Sequence, residues 1–291
     1  MMPEDFQKEF SRILSNDLKA ITESMDEVRF NIYKKNIEKA KELMDNIVKT
    51  ADEYPMFKDD SVSQYFTFNE LFEEILYVNT VRPERECRRA DIPYSEIYLL
   101  NGSLLYEQEK YLEARESLEK ARKWNPVNSS IAFEYMETYK VLGELEEFAR
   151  LTREQFKYAF NSKDVARCYR NLGFYFVGKE YYDAAIFCYF KSMSFDREAK
   201  NAQSELYYIQ SKTGKQIVSP TEEEIEQIVD KCEIPVHAFN NVLGMAVAIA
   251  KQAINDKNTE VAVYLLDIVY DLTDDEQIKK VIDDLENQKE G

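Results

Sequence analysis

The segment 95–128, SEIYLLNGSLLYEQEKYLEARESLEKARKWNPVN, decides the architecture. Gly102, Ala114, Ala121 and Pro126 fall where two antiparallel helices need small residues at a close crossing and then a stop. The large residues Tyr98, Leu105, Tyr111 and Leu118 stand between them. A helix pair of 34 residues cannot bury its apolar face alone, so it requires neighbours stacked on either side. The chain is therefore expected to be all-α. A stack of such pairs offers a surface for holding another protein segment.

The same pattern returns downstream. In ARCYRNLGFYFVGKEYYDAAIFCYFKSMSFDRE, which starts at Ala166, Tyr169, Leu172, Gly173, Phe176, Tyr182, Ala185 and Tyr189 repeat the order, with Gly173 and Ala185 each 71 positions beyond Gly102 and Ala114. Ser192 replaces the second alanine and Arg197 the proline, so the sharp stop is lost. Between the two copies, 129–162 reads as a degenerate unit. Phe133, Tyr135, Tyr139 and Leu142 suit a first helix, Gly143 a turn, and Leu145, Phe148, Ala149, Leu151 and Phe156 a second, with Met136 near the place of the missing glycine.

Less regular helices flank this block. Phe6, Phe10, Ile13, Leu14, Leu18 and Ile21 recur at helical spacing, as do Ile32, Tyr33, Ile37, Ala40, Leu43, Met44 and Ile47. A third helix is expected over Ser63 to Asn79, followed by a connector over 80–93 with two prolines. Ala202 to Ser211 reads as a helix ended by Thr213-Gly214-Lys215, and Thr221 with Glu224 as a capping box that opens a helix closed by Pro235. Segments 237–255 and 259–272 suggest one more divergent pair, with Ala262 and Leu266 at its crossing, and Thr273 with Glu276 a second capping box. Three regions result: a helical cap and connector (1–93), three repeats (94–199, as 95–128, 129–162 and 166–199), and divergent repeats with a capping helix (200–291).

Composition narrows the function. Only 7 Gly and 7 Pro favour long helices over turn-rich sheets. The net charge of −17 argues against nucleic acid and against an anionic membrane, both of which call for a basic face. Cys87, Cys168, Cys188 and Cys232 form no CxxC pair and have no zinc-like spacing, so they read as free thiols in a reducing compartment. The N-terminus shows no secretory signal, and no stretch approaches the roughly 20 apolar residues of a membrane span. The chain is expected to be soluble and cytoplasmic.

Chemistry is thinly represented. The single histidine, His237, has no evident partner for acid–base work, and no phosphate-cradling glycine motif occurs. No metal or cofactor site is expected. The 20 Tyr and 17 Phe follow helix-packing spacing rather than a base-stacking platform. Arg82 to Arg89 holds four arginines against two glutamates. It reads as a solvated connector or, in the alternative, as a docking loop for an acidic partner.

With these residues in place the chain resembles the tetratricopeptide repeat (TPR) family. The resemblance is strong over 95–128 and good over 166–199. It is weaker over 129–162 and 243–276, and absent from the first 90 residues. It implies a right-handed superhelical solenoid of antiparallel helix pairs, about 14 helices in all, whose first helices line a concave groove. Transferred to this chain, the groove positions are Glu96, Leu99, Leu100, Ser103 and Tyr106, then Phe133, Glu134 and Glu137, then Arg167, Arg170, Asn171 and Phe174. A subgroup that clamps a terminal carboxylate uses Lys and Asn where this chain has Leu99 and Ser103, so that clamp is not implied. Arg167, Arg170 and Asn171 share one helical face, suited to a carboxylate or a carbonyl, or else to internal pairing with Glu134 or Glu137.

The expected function is non-catalytic, a scaffold or adaptor that binds a protein segment or peptide in the groove. The alternatives are a ligand-sensing regulator whose superhelix changes shape, an enzyme with its site among the divergent helices, and self-association through a repeat face.

Overall fold

A computed structural model describes residues 4–214 and 216–287, with 4–13 described by backbone alone. The chain divides into two compact units, Met1–Leu142 and Gly143–Gly291. The first holds α1 (Glu4–Tyr33), α2 (Ile37–Glu53), β1 (Ser63–Phe66), α3 (Leu71–Val81), β2 (Glu86–Arg89), α4 (Tyr94–Glu107), α5 (Tyr111–Trp124) and α6 (Ser129–Val141). The second holds α7 (Leu145–Gln155), α8 (Ser162–Gly178), α9 (Tyr182–Phe195), α10 (Lys200–Thr213), α11 (Glu222–Cys232), α12 (Asn240–Asn255), α13 (Thr259–Thr273) and α14 (Glu276–Asn287). The described residues thus contain 14 helices, as expected.

Four pairs pack as helical hairpins: α1 on α2, α4 on α5, α8 on α9, and α12 on α13. One register governs all four. In α4/α5 the anchor is Gly102, with Leu118 facing it 16 residues later. In α8/α9 it is Gly173, with Tyr189 at the same interval. The corresponding buried residues are Val28 and Met44 in α1/α2, and Ala250 and Leu266 in α12/α13. Twelve residues past each anchor stands a buried alanine: Ala40, Ala114, Ala185 or Ala262.

The turns repeat as well. Seven residues past the anchor, Lys35, Glu109, Glu180 and Lys257 adopt the left-handed conformation, with φ between 58° and 60°. The next N–H reaches back across the last helical turn, from Asn36 to Asn31 O (2.8 Å), Lys110 to Leu105 O (3.0 Å), Tyr181 to Phe176 O (2.9 Å) and Asn258 to Ala253 O (2.8 Å). These are Schellman closures, which satisfy carbonyls that a helix end would otherwise leave unpaired. The degenerate middle unit keeps the turn position with Gly143 (φ 78°), while buried Met136 takes the glycine place. The first hairpin, in which the sequence shows no resemblance, therefore obeys the same rule as the others. Its Phe6, Phe10 and Ile13 side chains lie outside the described residues.

Two expectations are corrected in the first unit. Ser63 to Asn79 is not one helix, and 80–93 is not a bare connector. Ser63–Phe66 is a strand paired in parallel with Glu86–Arg89, and the helix begins only at Leu71. The aromatic run contains both periods, since Phe66 and Phe68 alternate as in a strand while Phe68, Leu71 and Phe72 follow a helix. The Asp59 and Asp60 carboxylates decide it locally by accepting the N–H groups of Tyr65, Val62 and Ser63, which holds the chain extended.

The inserted segment is anchored through Glu73, 2% exposed. Its carboxylate accepts from Asn69 N (2.7 Å), Glu70 N (3.2 Å), Asn125 Nδ2 (2.8 Å) and Asn128 Nδ2 (2.7 Å). Thr67 completes the attachment, its hydroxyl accepting from Ser95 N (3.0 Å) and its N–H donating to Trp124 O (2.9 Å). The apolar core beneath joins Val28, Met44, Ile92, Ile97 and Ile131.

In the second unit, Thr221 and Glu224 form the expected capping box, and Gly214 ends α10 in the left-handed region; Lys215 lies outside the described residues. The second expected box is corrected. Thr273 ends α13 with its hydroxyl on Val269 O (2.7 Å), and Asp275 instead accepts the Gln277 N–H (2.8 Å) that opens α14. Asp274 at φ 55° separates the two helices, and that turn carries Thr273 away from the new helix end.

Candidate functional site

On α4, Glu96, Leu99, Ser103 and Tyr106 recur at three- and four-residue intervals, which places them in one stripe along the helix. All four are partly exposed. Arg29 of α1 approaches the head of the stripe, with Nη2 3.5 Å from Glu96 Oε2. At the other end Tyr106 stacks edge-on against Tyr111 with ring centroids 5.1 Å apart. Burial raises the Tyr106 hydroxyl above its ordinary pKa, and the nearby Glu137 carboxylate adds to that. Glu137 itself pairs with Lys140 at 3.2 Å. The α4 stripe thus runs from Arg29 on one flank to α6 carboxylates on the other, all within the first unit.

A cavity of about 620 Å³ opens at the head of the stripe. Leu14, Ser15 and Leu18 of α1 form one wall, Thr67, Phe68 and Asn69 another, and Arg89, Ala90, Asp91, Pro93, Ser95 and Glu96 the rest. Apolar contact surface and hydrogen-bonding groups are both present, the mixture that fixes the orientation of a bound chain. Sequence reading missed this feature. Between its α1 and α4 residues, the walls come from the inserted segment, whose strands have no recognisable signal beyond the Phe66/Phe68 alternation.

Phe133, expected to line the groove, does not. It is 2% exposed and belongs to the core, because α6 turns that face inward. The expected basic cluster of the second unit is also changed. Arg170 donates from Nη1 to Ser192 Oγ (3.1 Å) and Asp196 Oδ2 (3.2 Å), so its partner is Asp196 and it is committed to bracing α8 against α9. Burial lowers its pKa below the usual guanidinium value, and Asp196 partly offsets that. Asn171 is 6% exposed. Phe174 packs edge-on to Phe148 at 6.1 Å. Arg167 is partly exposed on the same helix.

Other chemistry is sparse. His237 is exposed in the turn before α12, and the cavity described above lies in the other unit. Cys168 and Cys188 are buried, and burial pushes both thiols well above the ordinary range, away from the reactive thiolate. No group of three or more His, Cys, Asp or Glu suited to a metal occurs among the described residues. No described helix is long and apolar enough to cross a membrane.

No known protein family matches the chain by sequence, and no curated protein does. Among solved structures, the chain is similar to a tetratricopeptide repeat protein from Parabacteroides merdae ATCC 43184, with 12% identity over 91% of this chain and 98% of that one, at a TM-score of 0.43.

Proposed function

We propose that this protein is a non-catalytic binding module that holds a segment of another protein along α4. The observation that carries the reading is the junction of the 620 Å³ cavity with the partly exposed stripe Glu96–Leu99–Ser103–Tyr106. Glu96 belongs to both. A peptide seated there has apolar contacts at Leu14, Leu18 and Phe68 in the cavity and Leu99 on the stripe, with hydrogen-bonding partners at Asn69 and Glu96 in the cavity and Ser103 on the stripe. Such a mixture gives orientation along with affinity. The hairpin register beneath keeps the stripe rigid, so little ordering entropy is lost on the protein's side.

Affinity capture from the source organism tests the reading. Wild type is compared with Glu96→Lys/Ser103→Arg, two partly exposed changes that leave the core intact. Loss of captured partners by a variant with an unchanged circular dichroism spectrum supports the stripe as the binding face. An identical set of partners for both proteins contradicts it.

A further inference from the structure

The arginine-rich segment 82–89 has no part in the α4 stripe, yet its backbone is arranged unusually. In the β1–β2 ladder Glu86 N–H donates to Val62 O and Ala90 N–H to Phe66 O, both at 2.8 Å. Parallel pairing engages alternate residues of a strand. Glu86, Arg88 and Ala90 therefore turn their peptide groups toward β1, while Cys87 and Arg89 turn theirs away. The outer edge of β1 is closed: Ser63 N–H donates to Asp60 Oδ1 (2.7 Å), Tyr65 N–H to Asp59 Oδ1 (3.0 Å) and Thr67 N–H to Trp124 O (2.9 Å). The outer edge of β2 has no such cover. Among the described residues the outward peptide groups of Cys87 and Arg89 meet no partner, and Glu86, Arg88 and Arg89 are exposed.

Charge gives this edge a preference. Arg85 is taken up by Asp59 (3.5 Å), the Asp60 carbonyl (3.1 Å) and Gln64 (3.0 Å), and Arg88 by Glu86 (2.8 Å). Arg82 and Arg89 have no ion pair among the described residues. Arg89 lies on the open strand and Arg82 at the left-handed end of α3, four residues ahead of it, and two unpaired arginines stand out in a chain of net charge −17. Arg89 also lines the cavity at the head of the α4 stripe, so edge and cavity share a residue.

We propose that the outer edge of β2 takes up an extended acidic segment of a partner protein as an added strand. The inference rests on the reading that the protein holds a protein segment. Main-chain bonds to Cys87 and Arg89 supply the pairing, and carboxylates set against Arg82 and Arg89 supply the selectivity. The edge offers only two outward residues, so the association is weak alone and gains strength from contacts in the adjoining cavity.

Fluorescence anisotropy with a short labelled peptide of alternating Glu and Val tests this, with the alternating Lys–Val peptide as control. Wild type is expected to bind the acidic peptide and not the basic one, with affinity falling as salt rises. Arg89→Pro removes an outward N–H while leaving the β1 ladder bonds in place, and is expected to weaken binding about tenfold or more. Arg82→Glu/Arg89→Glu alters no backbone bond and is expected to weaken it similarly; it carries the test alone if the proline variant fails to fold. Equal binding by a folded Arg89→Pro, equal binding of the two peptides, or no binding of the acidic peptide to wild type overturns the proposal. A wild-type dimer that Arg89→Pro makes monomeric, without acidic-peptide binding, assigns the edge to a second copy and also overturns it. If the acidic peptide fails while Glu96→Lys/Ser103→Arg still abolishes partner capture, this proposal falls and the α4 reading stands.

Discussion

Gly102 lies directly beneath the Leu118 side chain: a Cβ added at Gly102 would stand 2.5 Å from Leu118 Cγ. The branch point of a fully buried leucine cannot swing away as a flexible chain end can, so the contact is a fixed constraint on how closely α4 and α5 approach. Gly173 stands in the same relation to the Tyr189 ring, at 2.7 Å from Cε1. Gly102→Ala gains helix propensity of about 1 kcal/mol. The overpacking it causes costs about 1–3 kcal/mol, so a net loss is expected. Urea denaturation of Gly102→Ala, Leu118→Ala and the double variant checks this: the double change is expected to be less destabilising than the sum of the singles, since each relieves the other's misfit.

The left-handed turn residues Glu109 and Glu180 carry a cost that glycine avoids. An L-residue in that region is disfavoured by about 1–2 kcal/mol. Glycine's greater freedom in the unfolded chain cancels part of the gain, so Glu109→Gly and Glu180→Gly should each stabilise by about 0.5–1 kcal/mol. Gly143→Ala should destabilise by a similar amount. Denaturant midpoints at unchanged m-value are the measurement.

Removing the Glu73 carboxylate should be far more damaging than its surface neighbours suggest. Four donors converge on it, and Glu73→Ala strands Asn125 and Asn128 amides in a buried site. A loss of about 3–5 kcal/mol is expected, since each buried donor left unsatisfied costs about 1–3 kcal/mol. Limited proteolysis should then cut within 54–93 before elsewhere. Glu74→Ala, exposed on the same helix, should change neither stability nor cleavage.

Alkaline stability follows from buried tyrosines. Burial pushes the hydroxyls of Tyr94 and Tyr135 up to about 12, and burial together with the bond to Asp52 raises Tyr98 as well. The folded state therefore keeps protons that the unfolded state begins to release near pH 10. This stabilising contribution is complete below pH 10 and lost as pH rises toward about 12. Urea midpoints should be flat in this respect to about pH 9 and fall above 10, less steeply in Tyr135→Phe.

Much of the fold was legible in the sequence because close helix crossings restrict residue size. Gly102, Ala114, Gly173 and Ala185 announce themselves. Where Val28, Ala250 and Met136 fill the anchor place the signal disappears, although the left-handed turn seven residues on persists in all five units. Lys35, Glu109, Glu180 and Lys257 are not turn-formers by type, so the turn follows from hairpin closure and leaves no mark in composition. The site was less legible. Leu99, Ser103 and Tyr106 are groove positions implied by the repeat resemblance, and all three are partly exposed on α4, but Phe133, implied on the same ground, faces the core. Arg170 looked available because its partner Asp196 is 26 residues away. The cavity depends on an insertion whose strand was read as helix.

Hydrogen–deuterium exchange on the protein alone and with a captured partner decides whether α4 is the binding face. New protection is expected to concentrate in 89–106, with exchange over 162–178 unchanged. Protection confined to 162–178, with 89–106 exchanging as in the free protein, would contradict it.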